Sequence, residues 1–481
     1  MKPPIRTVSL MFCGIAISHP AFGSDRDRGA WNLVTVPAAD EQWSQGDSSS
    51  MDGAPWWHSF GDSILDDLMM EGMQASPDLA GAWDRVVQAD ALAGQLMAGL
   101  MPVVTADGVI AHAPTESLSF GVGYPTQFEQ DVYSQGSLGL NASMAVDLFG
   151  RTATAWRAGR YDAEAVRGDK DAVALSLSIR IAQAYFDLVE ARELVTLTQE
   201  QLTTNEAILE LTSMRYQTSG DSTGLDVLQQ RQQTESARTR VPQAELNEAL
   251  ASQRIHLLLG QRASRSPHVS TQALPDLPPQ PNLGSPADLL DNRPDLKAAA
   301  DRLDAARLSK TSATLALTPS IGASGGVGQQ FISIEELDWQ DTWSVGMTAS
   351  VPLFNGGAIY NGVREAKASE RAAARSVQSA LLTAMQEVEG ALEQERRQQA
   401  VLDATRSQLA AAQDAFVDAR GRYGQGLIDY QQVLTSLTAL QGAQQSELSA
   451  RRDLLNVRIS LHQSLGGTWT RQASTSSGAT P

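Results

Sequence analysis

The chain has a single cysteine among its 481 residues, which excludes an intramolecular disulfide framework and a cysteine-built metal cage. Bases are scarce beside acids. The 37 Lys and Arg against 55 Asp and Glu leave a formal charge of −18, and so acidic a chain repels phosphate backbones, excluding nucleic-acid binding as its main task. The six histidines are scattered, with neither H-E-x-x-H nor C-x-x-C spacing to hold a metal. Long hydrophobic runs are missing too. The longest, Val8 to Ile17, is too short to span a bilayer as a helix, and no other stretch is expected to do so.

Lys2 and Arg6 precede that short apolar run, and Ala21-Phe22-Gly23 follows with small residues flanking a bulky one. This is the pattern of an export leader over residues 1–23 with a cleavage site at its end. Cys13 is the lipidation candidate, although a lipidated cysteine needs a small residue before it and Phe12 stands there. Residues 24–55 read as a polar linker, and 468–481, rich in Ser, Thr and Gly, as a disordered tail.

Between these ends the chain repeats itself. Pro77-Asp78-Leu79 recurs as Pro294-Asp295-Leu296 at a shift of 217, and Asp84-Arg85 as Asp301-Arg302. Val146, Leu148 and Phe149 match Val351, Leu353 and Phe354 at 205, and Arg215-Tyr216 matches Arg422-Tyr423 at 207. His256, Leu259 and Gly260 match His462, Leu465 and Gly466 at 206. The order is kept throughout, which identifies two copies of one unit, 56–260 and 294–467. Pro267, Pro275, Pro278, Pro279, Pro281 and Pro286 fill the connector 261–293, read as an extended linker.

Thr152 to Arg215 has no proline and abundant Ala, Leu, Gln, Glu and Arg, so one uninterrupted helix is expected over 152–216. Its repeat counterpart spans 357–423. Ile181, Leu188, Val195, Leu202, Leu209 and Tyr216 form a seven-residue column, matched by Leu381, Val388, Glu395, Leu402, Leu409, Phe416 and Tyr423. Such a period keeps one stripe facing a partner helix. Shorter helices are expected at about Asp78–Leu100, 225–259 and 428–465. The two of the first copy, about Asp78–Leu100 and 225–259, together approach the length of the long one and can run end to end beside it.

Strands complete each unit. Leu138, Leu140, Ala142, Met144 and Val146 alternate with Ser137, Gly139, Asn141, Ser143 and Ala145, and Trp343, Val345, Met347, Ala349 and Val351 alternate with Ser344, Gly346, Thr348 and Ser350. Segments of about ten such residues suit a tilted transmembrane strand, and low hydropathy does not argue against one. Each pairs with a preceding strand, giving pairs at about 102–147 and 319–352. Four strands are too few to close a barrel, and open edges are untenable in lipid, so transmembrane strands require several chains in one barrel. Two hairpins packed on a soluble helical bundle remain the alternative. Gly322-Ala323-Ser324-Gly325-Gly326 fits G-x-S-x-G but lies in a predicted strand rather than a strand-to-helix elbow, and its counterpart Thr105–Val109 lacks the serine. No catalytic residue, metal ligand or cofactor site is assigned. His256 and His462, near helix ends, are expected to complement the helix dipoles as cations.

Trp56-Trp57-His58-Ser59-Phe60-Gly61-Asp62, the Pro77-Asp78-Leu79 start, Leu148-Phe149-Gly150-Arg151 with its copy Leu353-Phe354-Asn355-Gly356-Gly357, and the turn segments Arg215 to Leu228 and Arg422 to Leu434 together resemble the outer-membrane efflux family of the TolC/NodT type. The resemblance covers Trp56 to Gly467. It implies a homotrimer whose strands form a twelve-stranded β-barrel above a periplasmic α-barrel of twelve helices. It also implies a passive exit duct for drugs or other small molecules, fed by an inner-membrane pump through a periplasmic adaptor. A proton-driven pump of the resistance-nodulation-division type is expected. A type I secretion duct and a soluble periplasmic coiled-coil interaction protein are the alternatives. By the same resemblance, Gly220, Gly224, Gly424 and Gly426 shape the adaptor-docking tips. Asp414, Asp418, Arg422 and Tyr423 are candidates for the periplasmic gate, where three chains would present rings of carboxylates that favour cations.

Overall fold

The computed structural model describes Trp43 and residues 55–114, 132–218, 222–262, 273–333 and 339–467. The leader, Cys13 and the tail lie outside them. Trp56–Phe60 makes one 3-10 turn, and Asp62 then caps α1, Ser63–Ala75, by accepting from the Ile64 and Leu65 amides. The sequence pattern did not reveal this helix. Ser76 and Pro77 open α2, Pro77–Ala98, with a side-chain cap and a proline at the first turn, where its missing N–H costs nothing. Strands β1, Val103–Pro114, and β2, Val132–Val146, precede α3, Arg151–Thr218, and α4, Gly224–Leu258. The connector ends in a single turn, α5, Leu289–Asn292. The second unit then runs α6, Pro294–Leu315, β3, Ser320–Ser333, β4, Gln340–Ser350, α7, Ala358–Gly424, and α8, Tyr430–Leu465.

The two rods α3 and α7 are 68 and 67 residues long, about 100 Å each. α3 packs against α2, α4, α6 and α8, and α7 against α6 and α8. The wall is therefore four helices wide: α2 stacked on α4, then α3, then α6 stacked on α8, then α7. Glycines permit the stacking. A Cβ on Gly260 (φ +67°) would lie 2.7 Å from the Ala75 carbonyl before α2, and one on Gly466 (φ +91°) 2.7 Å from Arg293 Cα before α6.

At mid-height the N-terminal motif closes the core. Trp56 Nε1 donates to Ser178 Oγ at 3.2 Å, Phe60 packs on Phe186 at 5.2 Å, and Tyr185 donates to Asp62 Oδ2 at 2.5 Å. Burial and the neighbouring Asp62 hold the Tyr185 phenol protonated. This convergence corrects one expectation. α3 does contain a stretch apolar enough to cross a membrane, with mean hydropathy 1.4, but 67% of it is buried among neighbouring elements.

The connector is also more than an extended linker. Leu274, Leu283 and Leu289 are buried. Arg451 Nη2 donates to the Leu274 carbonyl at 2.6 Å, and buried Arg458 donates to Pro278 and Pro279 carbonyls while pairing bidentately with Glu395 at 2.6 and 2.8 Å. Trp43, in the stretch read as a polar linker, is buried beside Leu283, Leu296, Leu381 and Leu461. His462 is not the expected cation. It stacks on Trp56 at 5.2 Å, and burial, helped by Arg458, lowers its pKa to about 3.

The four strands form one antiparallel sheet in the order β1-β2-β3-β4. Its register gathers Val104, Ile110, Leu138, Leu140, Met144, Ile321, Val327, Trp343, Val345 and Met347 on one face, and Thr105, Asp107, Ser137, Asn141, Ser324, Gly326, Ser344 and Thr348 on the other. At the end far from the helices, Phe331 covers Gly136 and meets Trp339 at 4.6 Å. At the helical end Leu148, Phe149, Leu353 and Phe354 are exposed. Among the described residues β1 and β4 have no second partner strand.

Candidate functional site at the rod tips

The far end of the helical wall is where the rods reverse. α7 stops by a local rule of backbone geometry. Gly426 adopts φ +78°, the Leu427 amide reaches back to the Arg422 carbonyl at 3.0 Å, and the Gly426 amide to the Tyr423 carbonyl at 3.0 Å. This is a Schellman closure, which favours glycine at its left-handed position. The other reversal ends differently. Thr223 accepts from the Asp226 amide and Asp226 accepts from the Thr223 amide, a reciprocal capping box that places Gly224 at the first helical position of α4.

Tyr423 is the meeting point of the two reversals. It is only 2% exposed. Its hydroxyl lies 2.7 Å from Ser222 Oγ, the Arg215 guanidinium sits 4.5 Å above its ring, and Tyr430 packs on it at 6.3 Å, edge to face. Tyr430 in turn donates to Gln230 Oε1 at 2.7 Å. Burial, with Asp226 and Tyr423 nearby, holds the Tyr430 phenol protonated, the state that donates. Ile208, Phe416, Val433, Leu437 and Leu440 complete this cluster.

The gate candidates therefore separate. Tyr423 is not an exposed group able to fill a constriction. It ends the heptad column inside the wall because Ser222 and Arg215, from the other repeat, satisfy both its hydroxyl and its ring. Asp414, Asp418 and Arg422 are exposed on α7, with Arg422 Nε 2.9 Å from Asp418 Oδ2 one turn away. Of the tip glycines, Gly424 ends α7, Gly426 forms the left-handed closure and Gly224 begins α4, while Gly220 lies outside the described residues. Leu225, Leu228 and Leu427 leave exposed apolar side chains around them. Arg215, Ser222, Tyr430 and Gln230 were not singled out as site residues. The match of Arg215 to Arg422 across the repeat was the one signal that this position matters.

Residues 69–261 and 286–467 match the family described as outer membrane efflux protein, one match in each unit. The chain is 28% identical over 441 residues to the pyoverdine export outer membrane protein OpmQ of Pseudomonas aeruginosa, covering 90% of this chain and 92% of that one. It is 30% identical over 356 residues to the toluene efflux pump outer membrane protein TtgI of Pseudomonas putida, covering 70% and 72%. The solved outer-membrane channel OprN superposes with a TM-score of 0.79 at 26% identity, over 91% of this chain and 97% of that one.

Proposed function

The chain belongs to the outer membrane efflux protein family and is an outer-membrane efflux channel with a large periplasmic helical portion, and from that premise we propose how it assembles, what it carries and where it closes. Three copies join edge to edge, β4 of one copy pairing with β1 of the next, to make a twelve-stranded barrel continued by twelve helices. The observation that carries this is the four-stranded sheet, with one face mostly apolar, the other mostly polar and glycine-rich, and, among the described residues, both edges unpaired. In lipid every backbone N–H and C=O needs an internal partner, and only further copies of the same sheet supply them. The polar face lines the passage and the apolar face meets the acyl chains, with Trp339 and Trp343 at one rim and Phe149 and Phe354 at the other.

The duct is passive. A periplasmic adaptor grips the tips at Gly220, Gly224, Gly424 and Gly426, where Leu225, Leu228 and Leu427 offer apolar contacts. An inner-membrane pump delivers small organic molecules, the cargo class of relatives named for pyoverdine and toluene. Asp414 and Asp418, with Arg422, ring the closable end and favour cations there. Heated against unheated detergent electrophoresis of the outer-membrane fraction, with chemical crosslinking, tests the assembly. A heat-labile trimer in that fraction is expected, and a monomer in the soluble periplasmic fraction rejects it.

A further inference from the structure

We propose that Asp107 sets the charge preference of the barrel. One copy in each chain gives the trimer a ring of three carboxylates on the lining of the upper passage, at the opposite end of the rods from the tips, and this ring admits cations ahead of anions. The inference rests on the reading of the chain as a trimeric duct whose polar sheet face lines the water.

The register of the sheet isolates this residue. Asp107 of β1 stands opposite Gly139 of β2, Gly139 opposite Gly328 of β3, and Gly328 opposite Thr342 of β4. Side chains alternate along each strand, so this row shares its face with the next one, Thr105, Asn141, Gly326 and Ser344. Among the described residues Asp107 is the one ionisable group on that face, whose other positions hold Gly, Ala, Ser, Thr, Asn, Gln or Val. His112 and Asp341 belong to the opposite face, with Ile110 and Trp343. The repeat adds no second charge. At the shift of 217 that carries Pro102 onto Pro319, Asp107 falls on Ser324.

The carboxylate is exposed yet held in place. Thr105 Oγ1 and Asn141 Nδ2 each donate to Asp107 Oδ2 at 2.9 Å. Neither donor uses Oδ1, whose lone pairs face passing cations. Asn141 reaches Asp107 because glycine lies beside it on β3: a Cβ on Gly326 would collide with Asn141 Oδ1 and displace the amide. A Cβ on Gly328 would lie 2.6 Å from the Leu138 carbonyl. The lining around Asp107 is therefore bare backbone, which leaves its charge unobstructed.

The size of the passage sets how far the ring reaches. Strands about 4.8 Å apart and tilted by about 40° close a twelve-stranded wall roughly 12 Å in radius. A charge acts over about 10 Å at 0.1 M salt and about 30 Å at 0.01 M. Three carboxylates on that wall therefore reach the axis in dilute salt, and in stronger salt they act only on ions and cargo travelling beside the wall. The small neutral side chains of the remaining lining offer cargo little to hold, so charge is the property that this stretch reads.

A cysteine at Ser137, on the same face and diagonal to Asp107 at about 7–8 Å, measures the local potential. Its labelling by trimethylammonium-ethyl and by sulfonatoethyl methanethiosulfonate gives a cationic-to-anionic rate ratio, with the chain lacking Ser137→Cys as the blank. Asp107→Asn keeps the size of the side chain and an acceptor for both donors, so the trimer should still form. Combined with Ser137→Cys, it should lower the ratio at least about threefold in 0.01 M salt, and the drop should vanish at 1 M, where charges are screened beyond about 3 Å. Asp107→Glu restores the charge and should restore the ratio. An equal ratio with and without Asp107→Asn overturns the ring and leaves Asp107 a structural partner of Asn141. A Ser137→Cys trimer that neither reagent labels rejects the duct reading itself, and the ring with it.

Discussion

Arg215-Tyr216 and Arg422-Tyr423 occupy equivalent places at the ends of the two rods, yet they divide their work in opposite ways. In the first repeat the arginine turns inward, over the ring of Tyr423, and Tyr216 is 52% exposed. In the second the tyrosine turns inward and Arg422 faces out, paired with Asp418. One inward arginine and one inward tyrosine make a single stack between the repeats. Two copies behaving alike would give two buried cations or two competing rings. A tandem repeat thus forms an asymmetric contact because the equivalent helices present different faces where they meet.

The largest effect that breaks this comparison is truncation of the buried tyrosine. Tyr423→Ala should cost about 3–5 kcal/mol, whereas Tyr216→Ala should change the thermal midpoint of the chain by less than about 0.5 kcal/mol equivalent. Equal shifts in differential scanning would show that both rings are structural. Proline separates the two reversals next. Gly426→Pro meets φ +78° and removes the amide bonded to the Tyr423 carbonyl, so about 3 kcal/mol and all export should be lost while the trimer still forms. Gly224→Pro places proline at a first helical position behind an extended Thr223, and thermal stability should stay near wild type. Melting curves of the two variants, with a resistance assay on the Gly426→Pro strain, decide this.

A third contrast is between the matched histidines. His256 meets the Ser252 carbonyl at 2.8 Å, while His462 is buried on Trp56 with its pKa lowered to about 3 from 6.5. The folded state takes up that proton later than the unfolded chain. The stability His462 provides is therefore complete above pH 6.5 and declines as pH falls toward 3, by up to about 1.4 kcal/mol per unit. His462→Phe keeps the stack and should flatten the melting profile between pH 6.5 and 5. An unchanged slope assigns it to other groups. The smallest effect on stability belongs to Asp418→Ala, a few tenths of a kcal/mol for an exposed i,i+4 pair. Single-channel conductance should nevertheless rise and cation preference weaken, and conductance and selectivity identical to wild type remove Asp418 from the gate.

The strands and rods were legible because their periods are simple. Alternation of two showed the sheet's faces, and long proline-free stretches showed the helices. The second heptad column holds almost throughout, with Leu381, Val388, Leu402, Phe416 and Tyr423 buried. The first drifts. Ile181 and Leu188 are buried, Val195, Leu202 and Leu209 are half-buried, and Tyr216 is exposed, because a 3.6-residue helix rotates away from a strict seven-residue stripe. The stripe that replaces it, Thr198, Gln201, Asn205, Ile208 and Thr212, is mostly polar and so invisible to a search for apolar periodicity. α1 was missed because thirteen residues between a capping aspartate and Ser76 carry too few turns to show a period. The tip contact was half legible: the repeat aligned Arg215 with Arg422, but which member of each pair turns inward depends on helix rotation, which only packing decides.

The unpaired edges of β1 and β4 carry a genetic consequence. In the proposed assembly each copy completes its neighbour's hydrogen bonding, so no copy works alone and any assembly holding one defective copy is defective as a whole. A variant that folds and pairs but fails at the tip, such as Gly426→Pro, will therefore act dominantly when co-expressed with the intact chain, spoiling most mixed assemblies. A variant that breaks a strand edge will be recessive, because it never joins one.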